Sequence, residues 1–240
     1  MKNQFYFVAA ILCSSLLMGC GGSSSSDNSD AGINNQGAAQ ANYRLTFSPS
    51  WSAVAFPTNF PFGPHFSPII GATHNQQTVI WRPSDQLSTS GIESMAETGS
   101  TSGLRNELQL RQNQATVDQI FSGRLINSPG STSITLTVSE SHPLVSAVSM
   151  LAPSPDWFVG IRDVSLRENG QWIDSINLDL ALYDAGTDLG ERYTSANRDG
   201  GDRIITRLTS DSSDTDFANG VHRTSGVFVG TIEIQRVDIP

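Results

Sequence analysis

Ile176 to Glu191 reads INLDLALYDAGTDLGE. In its first half Ile176, Leu178, Leu180 and Leu182 alternate with Asn177, Asp179 and Ala181. Successive side chains of a strand point to opposite faces, so this alternation predicts a strand with one face in a core. The second half breaks the pattern: Asp184 and Asp188 stand on either side of Gly186, and Gly190 follows. Glycine admits the positive φ that lets backbone wrap around a point, so the segment predicts a loop at a strand end. Its two carboxylates have three readings at this level: turn punctuation, an acid/base pair, or oxygen ligands of a metal ion.

The same alternation recurs on either side. STSITLTVSE (131–140) puts Ile134, Leu136 and Val138 on one face and threonines on the other. FVGIRDVSL (158–166) and GVFVGTIEIQRVDI (226–239) are rich in β-branched residues, and YRLTFSPSW (43–51) reads as an opening strand. QTVIW (77–81) reads as a further short strand. NSPGS, RENGQ and NRDGGD punctuate these runs with turn residues. Strands at this spacing predict an antiparallel β-sandwich in which each sheet buries one face. Pro57, Pro61 and Pro64 forbid regular structure between the first strands. Between Ser90 and Gln119 helix formers accumulate, and Leu104 and Leu108 share a face, which predicts one or two short inserted helices. The fold class is therefore mostly β.

The chain opens with Lys2 and the apolar run FYFVAAILCSSLLMG, too short to span a bilayer as a mature helix and typical of a secretory leader. It ends in Leu17-Met18-Gly19-Cys20, which resembles a bacterial lipobox. That resemblance implies a signal peptide over residues 1–19, cleavage before Cys20, and lipidation of Cys20 as the membrane attachment. Gly21 rather than Asp after the cysteine points to the outer membrane of a Gram-negative bacterium. Cys13 leaves with the leader, so no thiol remains for a disulfide, a zinc cluster or nucleophilic catalysis. Residues 20–41, small and polar with Ile33 their one bulky apolar residue, predict a flexible tether below a domain at 42–240. Fourteen basic residues face 23 acidic ones for a net charge of −9, an electrostatic balance that excludes nucleic acid as a partner.

A second carboxylate-bearing string lies upstream. In APSPDWFVG (152–160), Pro153 and Pro155 stiffen the approach to Asp156. If this turn and the Asp184–Asp188 loop share one end of the sandwich, three carboxylates converge, and a cation or protons must relieve their repulsion. Hard oxygen donors on irregular loops suit calcium, and the turn-residue reading stays equally open on pattern alone. HFSPIIGATH (65–74), LSTSGIESMAETG (87–99), APSPDWFVG and YDAGTDLGE together resemble the spondin N-terminal domain of F-spondin and mindin, with Trp51-Ser52, Pro57, Pro61 and Val79 to Trp81 in matching order. The resemblance covers about residues 43–237 and extends to no thrombospondin type 1 repeat. It implies a C2-like β-sandwich and a calcium ion held by Asp156, Asp184 and Asp188. One departure is Tyr183, where the animal proteins carry tryptophan.

Other residues carry less. Asp211, Asp214 and Asp216 lack the spacing of an EF-hand loop and read as a solvated acidic segment, with a second calcium site as the sharper alternative. His65, His74, His142 and His222 have no zinc-ligand spacing, and His65 and His74 are expected to be structural hydrogen-bonders. Trp51, Trp81, Trp157 and Trp172 are expected to pack in the sandwich, with Trp157 alternatively lining an exposed site. The expected function is a non-catalytic, calcium-binding, lipid-anchored cell-surface adhesion module for an extracellular protein or glycan. The alternative is an extracytoplasmic, glycosidase-like hydrolase using two of the aspartates as acid and base.

Overall fold

The structure, a computed structural model, describes residues 39–56, 59–84, 86–208 and 228–237. In chain order its strands are β1 Gln40–Pro49, β2 His65–Phe66, β3 Ile70–His74, β4 Val117–Ser122, β5 Ile126–Asn127, β6 Thr132–Ser139, β7 Leu144–Ala152, β8 Trp157–Ser165, β9 Arg167–Glu168, β10 Gln171–Trp172, β11 Ser175–Asp179, β12 Leu182–Asp184, β13 Thr206–Arg207 and β14 Gly230–Arg236. Two helices, α1 Ser90–Thr98 and α2 Ser102–Asn113, lie between β3 and β4. Cys20, the leader, most of the tether and the Asp211–Asp216 segment lie outside the described residues. The strand β1 begins at Gln40, two residues before Asn42.

Two antiparallel sheets make a sandwich. One runs β11-β14-β1-β6; the other runs β13-β12-β8-β7-β2-β5, with β3 bridging β7 and β4. Between them pack Tyr43, Leu45 and Phe47 of β1, Leu136 of β6, Val145 and Leu151 of β7 and Ile232 of β14. These strands show the alternation that their sequences carry: β1 buries Tyr43, Leu45 and Phe47 and leaves Arg44, Thr46 and Ser48 toward solvent.

The expectation that each sheet buries one face holds for the first sheet and fails for the second. Helices α1 and α2 cover its outer face, and Ile92, Met95, Leu104 and Leu108 pack there on Ile70, Val148 and Phe158. Central strand β7 is therefore buried at all nine residues, serines included. The architecture is sheet, sheet, helix layer. Burying a side chain such as Leu108 stabilises the layer by about 1.5–3 kcal/mol.

Helix α1 starts where the Thr89 hydroxyl accepts from the Ile92 amide at 3.2 Å. It ends at Gly99, whose φ of 70° makes it a left-handed cap. The Glu107 carboxylate of α2 accepts from the Thr89 hydroxyl at 2.7 Å and the Gly91 amide at 2.7 Å, so α2 satisfies the first turn of α1. The helical pattern stops short of its sequence extent: Val117 to Ile120 belong to β4, where β-branched residues pair with β3.

Two sequence expectations are corrected. QTVIW is not a strand; Thr78 to Trp81 run irregularly, and Ile80 and Trp81 are drawn under the helices with the Trp81 indole N–H donating to the Ile161 carbonyl at 3.1 Å. The run from Ile176 to Asp184 is not one strand. Ser175–Asp179 pairs with β14 in the first sheet, Leu182–Asp184 pairs with β8 in the second, and the chain crosses between sheets at Leu180-Ala181. Leu180, fully buried, continues the core across the step.

The two poles of the sandwich differ. Gln40 pairs with Ser139 at one end of β1, and Pro49 pairs with Gly230 at the other. At the rise of a strand, the ten residues of β1 separate those ends by about 30 Å. Trp51, Phe60 and the β7–β8 turn lie at the Pro49 pole, where the Trp51 ring meets Tyr193 at 5.4 Å and Tyr193 meets Trp157 edge-on at 5.2 Å.

Candidate functional site

The β7–β8 turn, residues 153–156, is built by Ser154. Its hydroxyl donates to the Leu151 carbonyl at 2.5 Å and accepts from the Trp157 amide at 3.1 Å. This holds Asp156 with no solvent exposure at the head of β8. Trp157 beside it is also fully buried, so it packs rather than lining an open site. In the neighbouring strand, β12 delivers Asp184 opposite Trp157. Gly186 then turns the chain with a φ of 71°. A Cβ there would fall 2.7 Å from the Ile204 carbonyl oxygen, so both the turn and the close approach require glycine.

Asp156 organises this loop. Its backbone carbonyl accepts from the Ala185 amide at 3.1 Å, and its Oδ2 accepts from the Thr187 amide at 2.7 Å and the Asp188 amide at 3.1 Å. The Thr187 hydroxyl also lies 3.2 Å from Oδ2. The other carboxylate oxygen, Oδ1, is buried with no hydrogen-bond partner. Burial first, and the Asp184 carboxylate second, push the Asp156 carboxyl up to about 6, against the partial relief of those hydrogen bonds. Asp184 Oδ1 accepts from the Gly186 amide at 2.7 Å. Asp188 accepts from the Gly190 amide at 2.6 Å and the Arg198 amide at 2.8 Å, one on each oxygen.

The two loops that carry the aspartates thus meet at one pole. As they stand, most of the carboxylate oxygens address backbone amides. Among the described residues no group of three or more His, Cys, Asp or Glu side chains is gathered closely enough to hold a metal ion. The chemistry of the donors nonetheless suits a hard cation: Asp156 Oδ1 is a buried, partnerless carboxylate oxygen, and a second carboxylate raises its proton affinity. A proton or a cation relieves that charge.

Helix α1 supplies residues that sequence reasoning passed over. Glu97, in its last turn, meets the Thr187 side chain and feels the charges of Glu93, Asp188 and Asp156; burial first, and these charges, raise its carboxyl against the Thr187 hydrogen bond, which lowers it. Glu97 Oε1 is also buried without a hydrogen-bond partner. Glu93 pairs with Arg203 at 2.6 Å, while the Arg203 amide donates to the Gly186 carbonyl at 2.7 Å. The Ser88 hydroxyl donates to the Ala185 carbonyl at 2.6 Å. Helix α1 is therefore sewn directly to the Asp184–Asp188 loop. The available signal was the motif LSTSGIESMAETG itself, whose Glu93 and Glu97 lie one helical turn apart.

The histidines are structural where described. His74 is fully buried; its Nδ1 donates to the Asn75 carbonyl at 2.9 Å and its Nε2 accepts from the Ser146 hydroxyl at 2.8 Å, while burial lowers its pKa. His65 Nδ1 lies 2.8 Å from the Gly63 carbonyl. Tyr183 packs edge-on against Trp81 at 4.9 Å, filling an aromatic niche between α1 and the sheet. Beside the aspartate loop two clefts open, of about 310 Å³ and 340 Å³, which share Arg192. No helix among the described residues is long and apolar enough to cross a membrane.

Two antiparallel sheets and a helix layer, with an aspartate-bearing loop pair at one pole, define a mostly β class of domain, and comparison with known proteins places it. The family described as Spondin_N matches residues 41–225, and the chain belongs to that family. It is 39% identical over 162 residues to Spondin-2 of Rattus norvegicus and 38% identical over 164 residues to Spondin-2 of Homo sapiens. It is 34% identical over 168 residues to Spondin-1 of Xenopus laevis. These matches cover 65% to 66% of this chain, 49% of each Spondin-2 and 20% of that Spondin-1.

Proposed function

We propose that this chain is a calcium-binding, lipid-anchored adhesion module that presents its aspartate loops to an extracellular protein or glycan. One observation carries the reading: Asp156, fully buried, holds the backbone of the Asp184–Asp188 loop through one carboxylate oxygen and leaves the other without a partner. Asp156, Asp184 and Asp188 would hold the ion, which supplies the positive charge these oxygens lack. Ion binding would then set the conformation of the loop that lines the two clefts at Arg192.

Cys20, which ends the lipobox-like Leu17-Met18-Gly19-Cys20, would carry the lipid. A hydrolase reading finds no support: Asp156 is fully buried, and no observation gives any two of the aspartates acid and base roles.

Calorimetric titration of calcium into the purified chain tests the metal. Binding to an array of immobilised glycans, with calcium and with chelator, tests the ligand class. Calcium binding that is lost in Asp184→Asn supports the reading; no heat and no change in melting temperature with calcium overturns it.

A further inference from the structure

Among the described residues, two carboxylate oxygens are buried with no hydrogen-bond partner: Asp156 Oδ1 and Glu97 Oε1. An unpaired buried charge is costly, and each such atom calls for a ligand or a proton. The two do not lie in separate parts of the molecule. The Glu97 carboxylate meets the Thr187 side chain, and the Thr187 amide and hydroxyl face Asp156 Oδ2 at 2.7 Å and 3.2 Å. One hydroxyl carries one proton, so Thr187 cannot donate to both carboxylates at once.

The position of Glu97 on its helix adds to this. It is the penultimate residue of α1, and the last turn holds no basic side chain. The C-terminal end of a helix carries partial negative charge, which disfavours an anion there. A glutamate at that place, with a partnerless buried oxygen, beside a fully buried aspartate with another, is an arrangement that a cation resolves and that none of the described residues does. Arg203, a cation close enough to feel the Glu97 charge, is engaged by Glu93 at 2.6 Å and by the Ser88 carbonyl at 2.9 Å.

We infer that Glu97 is a fourth acidic oxygen donor to the cation held by Asp156, Asp184 and Asp188, and that it couples the helix layer to metal binding. The inference rests on the calcium reading above, and it extends the site from two loops to helix α1. Among the described residues these side chains are not gathered closely enough to hold an ion as they stand, so binding would have to draw them together, and four carboxylates would then give the site a formal charge of −4 against a divalent ion. That favours a doubly charged cation over a singly charged one. It also gives the loop pole a mechanical link: the ion would tie the last turn of α1 to the β7–β8 turn.

The test is calcium titration of the full chain, wild type against Glu97→Gln, Glu97→Asp and Glu191→Gln. Glu191 is exposed on the same loop and reports the loss of a nearby charge without loss of a buried donor. Expected are a calcium affinity at least about tenfold weaker in Glu97→Gln, a smaller loss in Glu97→Asp, and little change in Glu191→Gln. In wild type, calcium should also slow amide hydrogen exchange at the last turn of α1, and Glu97→Gln should abolish that protection. Melting in chelator checks the fold, since removing one of several like charges leaves the metal-free domain at least as stable. Wild-type binding with Glu97→Gln and Glu191→Gln weakened equally would overturn the role of Glu97 alone. No calcium binding by wild type would overturn the metal reading itself.

Discussion

Replacing Asp156 by asparagine keeps the shape of the side chain and removes its charge. The retained oxygen still accepts from the Thr187 and Asp188 amides, and an NH₂ group takes the place of the partnerless Oδ1 and faces the negative potential of Asp184. In wild type the carboxyl rises from 3.8 to about 6, through burial first and Asp184 second. A folded-state value above the unfolded one means that the native state binds the proton more tightly. The associated stability is full below the unfolded value and is lost as pH rises through the folded one. Between about pH 4 and pH 6 the metal-free wild type therefore loses stability, at 1.36 kcal/mol per unit, to a total of about 3 kcal/mol. Asp156→Asn escapes this loss. At roughly 2–4 °C per kcal/mol, the variant should melt up to about 6–12 °C above wild type at pH 7.5 in chelator. The gap should close to within about a degree or two by pH 4, where both side chains are neutral when folded. Excess calcium should narrow the gap by about half: ten times the dissociation constant adds about 1.4 kcal/mol to wild type and little to the variant. Thermal melts by circular dichroism at pH 4, 5.5 and 7.5, with and without calcium, make the measurement. A variant with native spectrum that melts at or below wild type at pH 7.5 in chelator would refute the claim that an unrelieved buried charge sits at Asp156.

Cys20→Ser should leave the domain folded and move the protein from the membrane fraction to the soluble or uncleaved pool, as read by fractionation and intact mass. Gly186→Ala should destabilise the chain by about 1–2 kcal/mol for the left-handed backbone alone, and by more because its Cβ meets the Ile204 carbonyl oxygen at 2.7 Å; denaturant unfolding reads the loss. Leu108→Ala, fully buried between α2 and the sheet, should cost about 2–5 kcal/mol without weakening calcium binding by calorimetry. Residues 42–240 should show no turnover of common glycoside, ester or peptide substrates, and activity that vanishes in Asp184→Asn yet survives chelation would contradict the binding-module reading.

The sequence by itself determined the strands whose two faces differ. β1, β6 and β14 lie in a sheet with one wet face, so their alternation is written in full and reads directly. It also determined that Asp156 sits in a turn and that the chain leaves strand geometry after Asp184, the last residue of β12, because proline and glycine constrain the backbone locally whatever the rest of the chain does. Tertiary structure decided the rest. The unbroken alternation from Ile176 to Leu182 conceals a step between two sheets, since Leu180 is buried on either side of it and the pattern records burial, not partner. QTVIW has strand composition, yet its tryptophan is claimed by Phe158, Tyr183 and the Ile161 carbonyl, and those contacts override β-propensity. β7 is buried on both faces because helices from elsewhere in the chain cover it. The same holds at the site. Nothing local to Glu97 marks it as a neighbour of Asp156, 59 positions later in the chain. That proximity exists because α1 docks on the outer face of the second sheet and is tied to the aspartate loop through Ser88, Glu93 and Arg203, and a contact made by docking has no period or spacing by which a single sequence could announce it.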